Sequence, residues 1–163
     1  MPAGRNIRTG SAVNNSNSGI VLEPIGTVRN TVKRPQKPVY PWRELTSEIV
    51  IDERLKEALE GLEDFTHLIV LYWLHAGDRR PLSLKVHPRG NTALPLTGLM
   101  ATRSPRRPNP IGKATVKLLE RRDNILRVKG LDAIDGTPVL DIKPFIPGID
   151  SAADASVPPW VNG

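Results

Sequence analysis

Three arginines sit among three prolines in the stretch Ala101-Thr-Arg-Ser-Pro-Arg-Arg-Pro-Asn-Pro-Ile-Gly112. Each proline removes a backbone donor and fixes one dihedral, so the stretch reads as neither a helix interior nor a central strand. It is a stiff, cationic loop. Stiffness lowers the entropy lost when Arg103, Arg106 or Arg107 closes on an anion, and a guanidinium is a flat fork that matches carboxylate or phosphate. The bland alternative is a structural loop with exposed arginines. Three of them in one stiff loop, inside the most basic part of the chain, favour anion binding.

A second constellation runs from Leu131 to Phe145 and sets Asp132, Asp135 and Asp141 among apolar residues. Asp135 opens the turn Asp135-Gly-Thr-Pro138, where an Asp commonly bonds its own backbone. Asp132 follows an apolar strand and is placed to accept from an amino group or a ribose hydroxyl. Asp141 alternates with Lys143 on one strand face, a pairing of little weight. His75 ends the longest apolar run, where a ligand contact and a plain polar cap are equally good readings. His67 shares its strand parity but lies eight residues away, roughly 26 Å at strand rise, too far for a shared metal. No metal site is expected.

Charge is concentrated. Residues 79–129 hold thirteen Lys and Arg against Glu120 and Asp123, leaving that window at +11 and the rest of the chain at −5 within a total of +6. Such asymmetry points to a polyanionic partner, with a solvated basic face as the alternative. Cysteine is absent, which removes disulfides, thiol nucleophiles and zinc–thiolate sites. No apolar run is long enough to span a bilayer and no secretory signal is visible, so a cytoplasmic protein is the expectation. There is no G-x-G-x-x-G and no P-loop motif.

The elements that must position these residues are short. Residues 1–19 read as a polar, disordered tail, residues 20–150 as one domain and residues 151–163 as a C-terminal tail. Strands are expected over Ile20–Arg29 (broken at Pro24), Glu48–Ile51, His67–His75, Ser83–Val86, Leu96–Thr102, Ala114–Arg121, Ile125–Lys129 and Val139–Phe145. Asp52 caps one helix running to about Leu62. The proline-rich Asn30–Leu45 reads as an extended loop. About seven strands at turn-like spacing with one short helix predict a mainly β fold, a small closed β-barrel, and exclude a doubly wound sheet.

Four blocks carry a resemblance: Ile25-Gly-Thr-Val-Arg29, Leu62-Glu-Asp-Phe-Thr-His-Leu68, Ala101–Gly112 and Leu131-Asp-Ala-Ile-Asp-Gly-Thr-Pro-Val-Leu-Asp-Ile-Lys-Pro144. Together they resemble the TsaA-like family, also called YaeB or TrmO, over about Val21 to Asp150. The resemblance implies a dimerising β-barrel that binds S-adenosyl-L-methionine and methylates N6 of threonylcarbamoyladenosine at position 37 of tRNA. It implies a cofactor site of Tyr40, Pro41, His75, Ala76, Arg103, Lys113, Leu131, Asp132, Ala133 and Ile134. Here Ala76 stands where the family often has Gln, and Lys37–Trp42 departs from the usual pattern.

The expected chemistry is attack by the substrate nitrogen on a sulfonium methyl, where alignment and water exclusion dominate. The lone pair of a urea-like nitrogen is delocalised, so a base is useful, and Asp132, Asp135 and His75 are the candidates. Arg103 is expected to contact a carboxylate, and Arg106, Arg107, Lys113 and Lys117 the tRNA phosphates. Two rivals remain at this point: an RNA-binding barrel without methyl transfer, and a methyltransferase for a different substrate.

Overall fold

The computed structural model describes residues 19–34, 41–77 and 81–161. Eight strands form: β1 (Gly26–Arg29), β2 (Thr46–Ile51), β3 (His67–Trp73), β4 (Lys85–Val86), β5 (Thr97–Gly98), β6 (Ile111–Arg122), β7 (Ile125–Lys129) and β8 (Pro138–Pro144). Six of them close an antiparallel barrel in the order β1-β2-β7-β6-β3-β8, and β4 and β5 pair separately. The ring closes where β1 meets β8, with Gly26 opposite Val139. Closure pairs every strand on both sides and leaves the barrel without an open edge.

Alternation in the sequence sets the interior. Along β6, Gly112, Ala114 and Val116 are buried while Ile111, Lys113, Thr115 and Lys117 face out. The apolar run of β3 sends Leu68, Val70 and Tyr72 into the core, which also holds Val28, Ile49, Ile51, Leu126, Val128, Leu131, Ala133 and Val139. Full burial of such side chains stabilises by about 1.5–3 kcal/mol each. The turn Arg122-Asp123-Asn124 joins β6 to β7 as expected, with Asp123 in the left-handed region at φ 54°.

Several boundaries differ from expectation. The first strand starts at Gly26 and not at Ile20, and β3 ends at Trp73, so His75 lies beyond it. The segment capped by Asp52 is a 3₁₀ helix over Glu53–Leu59, not an α-helix. It buries only Leu59, too little apolar surface to reward a regular amphipathic α-helix. Gly61, at φ 84°, turns the chain into a second 3₁₀ turn, Leu62–Asp64. The strand expected over Leu96–Thr102 is only Thr97–Gly98, followed by a 3₁₀ turn over Leu99–Ala101. The short α-helix α1 is elsewhere, at Pro147–Asp150. The expected Asp141–Lys143 pair forms at 2.7 Å between exposed groups. No helix among the described residues is long and apolar enough to cross a membrane.

Candidate functional site

The end of β3 is organised around Tyr72. Its partner across the sheet is Gly112, the last residue of the Asn-Pro-Ile-Gly string. A Cβ at position 112 would lie 2.9 Å from Cδ2 of the Tyr72 ring and nearer still to Cε2 and Cζ, so only glycine admits the ring there. The ring is buried, and its hydroxyl donates to the main-chain oxygen of Asp132 at 2.6 Å. Burial pushes the Tyr72 pKa up. The Asp132 carboxylate pushes the same way and the Arg103 guanidinium opposes it. Arg103 and Asp132 therefore both come within electrostatic reach of one phenol. Tyr72 is absent from the residues singled out by sequence. The signal was there: it is the one hydroxyl at an inward position of the apolar strand, and a buried phenol needs a partner.

The segment carrying Asp132 is fastened from inside. Leu131 and Ala133 are buried in the barrel. The Asn30 amide nitrogen donates to the Ala133 carbonyl at 2.9 Å and to Ser47 Oγ at 3.0 Å, and its oxygen accepts from Val32 N–H. Upstream, Gly130 N–H donates to the Leu45 carbonyl, just past the 3₁₀ turn Trp42–Glu44 that follows Pro41. This brings Pro41 toward the same segment; Tyr40 lies outside the described residues. With Leu131 and Ala133 turned in, Asp132 projects outward and Ile134 is half-buried. Asp132 is exposed as a residue, yet crowding of its carboxyl raises its pKa above the ordinary value.

Asp135 has a different role. It accepts from Asn30 N–H at 2.9 Å and from Lys33 Nζ at 2.7 Å, and these partners lower its pKa. A carboxylate so held is a poor proton acceptor. It secures the turn at Gly136, as the backbone-bonding reading of this position anticipates.

The remaining residues sort by place. Leu74 N–H donates to the Pro110 carbonyl at 2.8 Å, which ties the end of β3 to the proline loop. Exposed His75 and Ala76 follow directly. Arg103 is exposed and makes no hydrogen bond or ion pair among the described residues. Arg107 is committed to the loop itself, donating to the Thr102 carbonyl at 2.8 Å. Arg106 is half-buried and has no polar partner among the described residues. Lys113 and Lys117 stand on the outer face of β6, Lys113 donating to Thr115 Oγ1 at 3.0 Å and Lys117 lying opposite His67. So Arg103, Asp132 and His75 gather at the Tyr72 end of the barrel, and the two lysines run along its outside.

Two surface depressions lie away from this end. One, of about 360 Å³, is lined by Glu48, Glu120, Arg122, Ile125 and Arg127. The other, of about 580 Å³, lies over Thr27, Val50 and the Lys33–Asp135 pair. The first sets the exposed Arg127 beside Glu48 and Glu120, and neither depression is lined by the Leu131–Ile134 segment or by the proline loop.

A closed antiparallel barrel whose strand end joins a cationic proline loop to an outward-facing carboxylate, with Arg103 unpaired among the described residues, defines a class of binding site quite unlike a βαβ nucleotide fold. The chain belongs to the family of the tRNA-methyltransferase O N-terminal domain, whose model matches residues 27–151. It is 46% identical over 140 residues to a "Probable S-adenosyl-L-methionine-binding protein" of Archaeoglobus fulgidus, covering 85% of this chain and 37% of that protein. A second protein of that organism, an "S-adenosyl-L-methionine-binding protein", is 41% identical over 133 residues, 80% of this chain and 93% of its own length. A "tRNA (adenine(37)-N6)-methyltransferase" of Mus musculus is 44% identical over 103 residues, 63% of this chain and 23% of that protein. Among solved structures, TrmO from P. aeruginosa superposes with a TM-score of 0.69 at 31% identity, covering 90% of this chain and 64% of that one. The chain thus spans only part of most of these relatives.

Proposed function

We propose that this chain binds S-adenosyl-L-methionine at the Arg103–Asp132 end of the barrel and methylates N6 of threonylcarbamoyladenosine at position 37 of tRNA, as a cytoplasmic homodimer. The observation that carries this is that Tyr72 holds the Asp132 segment at the end of β3, which Leu74 ties to the proline loop bearing Arg103, in a chain of the tRNA-methyltransferase O N-terminal family.

The residues present fit the cofactor. The Arg103 guanidinium, without a polar partner among the described residues, matches an amino-acid carboxylate, and the fixed Leu131–Ile134 segment, with half-buried Ile134, offers an edge of backbone and apolar surface for a nucleoside. When bound, S-adenosyl-L-methionine supplies a methyl group on a sulfonium centre, a strong electrophile. The chain's own task is to hold the reactants and manage one proton. Arg103 anchors an anionic group and fixes its orientation. Asp132, its pKa raised by burial of the carboxyl, is the proton acceptor for the substrate nitrogen, because a raised pKa makes a carboxylate a stronger base. Asp135 is excluded from that role by its Lys33 and Asn30 bonds. His75, exposed beside the proline loop, contacts the bound ligands.

Arg106, Lys113 and Lys117 form a cationic track for tRNA phosphates leading away from the site. Dimerisation is supported by the exposed apolar side chains Leu84 (76% exposed), Met100 (66%) and Leu96 (57%) on the excursion between β3 and β6 that also carries Arg103. Equilibrium dialysis against radiolabelled S-adenosyl-L-methionine tests the reading. Saturable retention by the wild-type chain, lost in Arg103→Ala, supports it; no retention by the wild type contradicts it.

A further inference from the structure

Resting on the cofactor reading above, we infer that Tyr72 is a positioning residue of the site. It acts through the main chain of Asp132 and touches no reactant.

The geometry gives Tyr72 three attachments. Its ring occupies the space that Gly112 leaves open, its backbone pairs with Gly112 in the ladder, and its hydroxyl holds the Asp132 carbonyl at 2.6 Å. It also sits where the β3–β8 register shifts between Leu71 and Tyr72, opposite Val139. One side chain thus links β3, the end of the Asn-Pro-Ile-Gly string and the segment that carries Asp132. The next carbonyl along the chain, that of Ala133, accepts from the Asn30 side-chain amide at 2.9 Å. Two anchors on successive carbonyls of an irregular segment, the first on Asp132 itself, fix the main-chain path from which the Asp132 side chain projects. Without the phenol oxygen, the Asp132 carbonyl loses the only side-chain donor it has among the described residues, while the Asn30 bond to Ala133 remains. A site whose ligand contacts depend on the path of Leu131–Ile134 then loses affinity for its ligand while the barrel stays closed.

Tyr72→Phe keeps the ring and removes only the hydroxyl. Val70→Ala, two residues earlier and fully buried, is the control for loss of core packing. The full chain, its two variants and wild type are compared by calorimetric titration with S-adenosyl-L-methionine, by thermal melting, and by amide exchange of residues 130–134 in the ligand-free protein. The inference predicts that Tyr72→Phe weakens cofactor binding about tenfold, the effect of one lost hydrogen bond, with faster exchange confined to residues 130–134. Val70→Ala should melt lower than Tyr72→Phe and yet bind the cofactor as wild type does. In turnover, Tyr72→Phe should raise KM for the cofactor and lower kcat by less than Asp132→Asn does. Wild-type affinity in Tyr72→Phe, or equal losses of affinity in both variants, overturns the inference and leaves the cofactor reading standing. Absence of binding by the wild type overturns both.

Discussion

Lys33 holds the carboxylate of Asp135 at 2.7 Å, three residues along the chain from Asp132, whose carboxylate makes no ion pair among the described residues. One motif, Leu131-Asp-Ala-Ile-Asp-Gly136, therefore contains two acids with opposite electrostatic fates. Asp135 has its pKa lowered by Lys33 and by Asn30 N–H, and Asp132 has its pKa raised by crowding. Asp135 is thereby tied to the turn it secures, and the proposed proton transfer is left to Asp132.

Asp135→Asn should destabilise the barrel, by roughly 1 kcal/mol given the exposure of Lys33, because a charge-assisted bond to Asn30 N–H and the ion pair both weaken. The sign of the pH dependence follows from the lowered pKa. The contribution is complete above the ordinary aspartate value of about 3.9 and is lost as pH falls through the lower folded-state value. Melting curves of wild type and variant should converge in strong acid and separate above it.

Asp132→Asn should behave in the opposite way. A carboxyl with a raised pKa binds its proton more tightly in the folded chain, so its ionised form costs stability at neutral pH and the cost fades as pH falls. The variant should melt at or slightly above the wild-type temperature while methyl transfer falls by about 10²-fold or more, the usual size of a lost general base. In the wild type the rate should decline as pH drops through the raised Asp132 pKa. Single-turnover rates across pH check both statements, and a variant that melts lower with unchanged rate removes Asp132 from the chemistry.

Arg103→Ala should abolish methylation and leave the circular dichroism spectrum unchanged. Arg103 is exposed and has no polar partner among the described residues whose loss would loosen the fold. Arg103→Lys should recover little, since a point charge does not reproduce a bidentate fork. Unimpaired turnover in Arg103→Ala would show that the anion is held elsewhere.

Arg106 and Arg107, adjacent and chemically alike, should separate. Arg107→Ala removes the donor to the Thr102 carbonyl and should lower the melting temperature, at a cost of about 1 kcal/mol. Arg106→Ala should leave melting alone, weaken tRNA binding and reduce the slope of log affinity against log salt by about one. Binding titrations at several salt concentrations distinguish the two; equal salt slopes for wild type and Arg106→Ala would move the RNA surface away from this loop.

Much of the fold was legible because its cause is local. Period-two alternation marked β6 and β7, and the apolar run marked β3, since one face of each strand must enter the core. What sequence did not supply was set by pairing between distant segments. The 3₁₀ form of Glu53–Leu59 reflects how little of it the barrel covers. The shortening of Leu96–Thr102 reflects a two-residue ladder with β4, extended by one bond from Leu99 N–H to the Leu84 carbonyl. In the site, residue type and loop stiffness pointed to the three arginines of the proline loop together, and the family resemblance to Arg103 and Asp132. The equivalence of Arg106 and Arg107 broke only when Arg107 met a carbonyl within its own loop. Tyr72 read as core, and it is core. Its second role depends on an oxygen sixty residues away in sequence.

The central claim is methyl transfer at the Arg103–Asp132 end of the barrel. It is tested most directly by incubating the wild-type chain and Asp132→Asn with S-adenosyl-L-methionine and tRNA bearing threonylcarbamoyladenosine, then weighing the digested nucleosides. The account predicts that threonylcarbamoyladenosine gains the mass of one CH₂ with the wild type and does not with the variant. An unmodified nucleoside pool after exposure to dimeric, cofactor-bound wild type would contradict it.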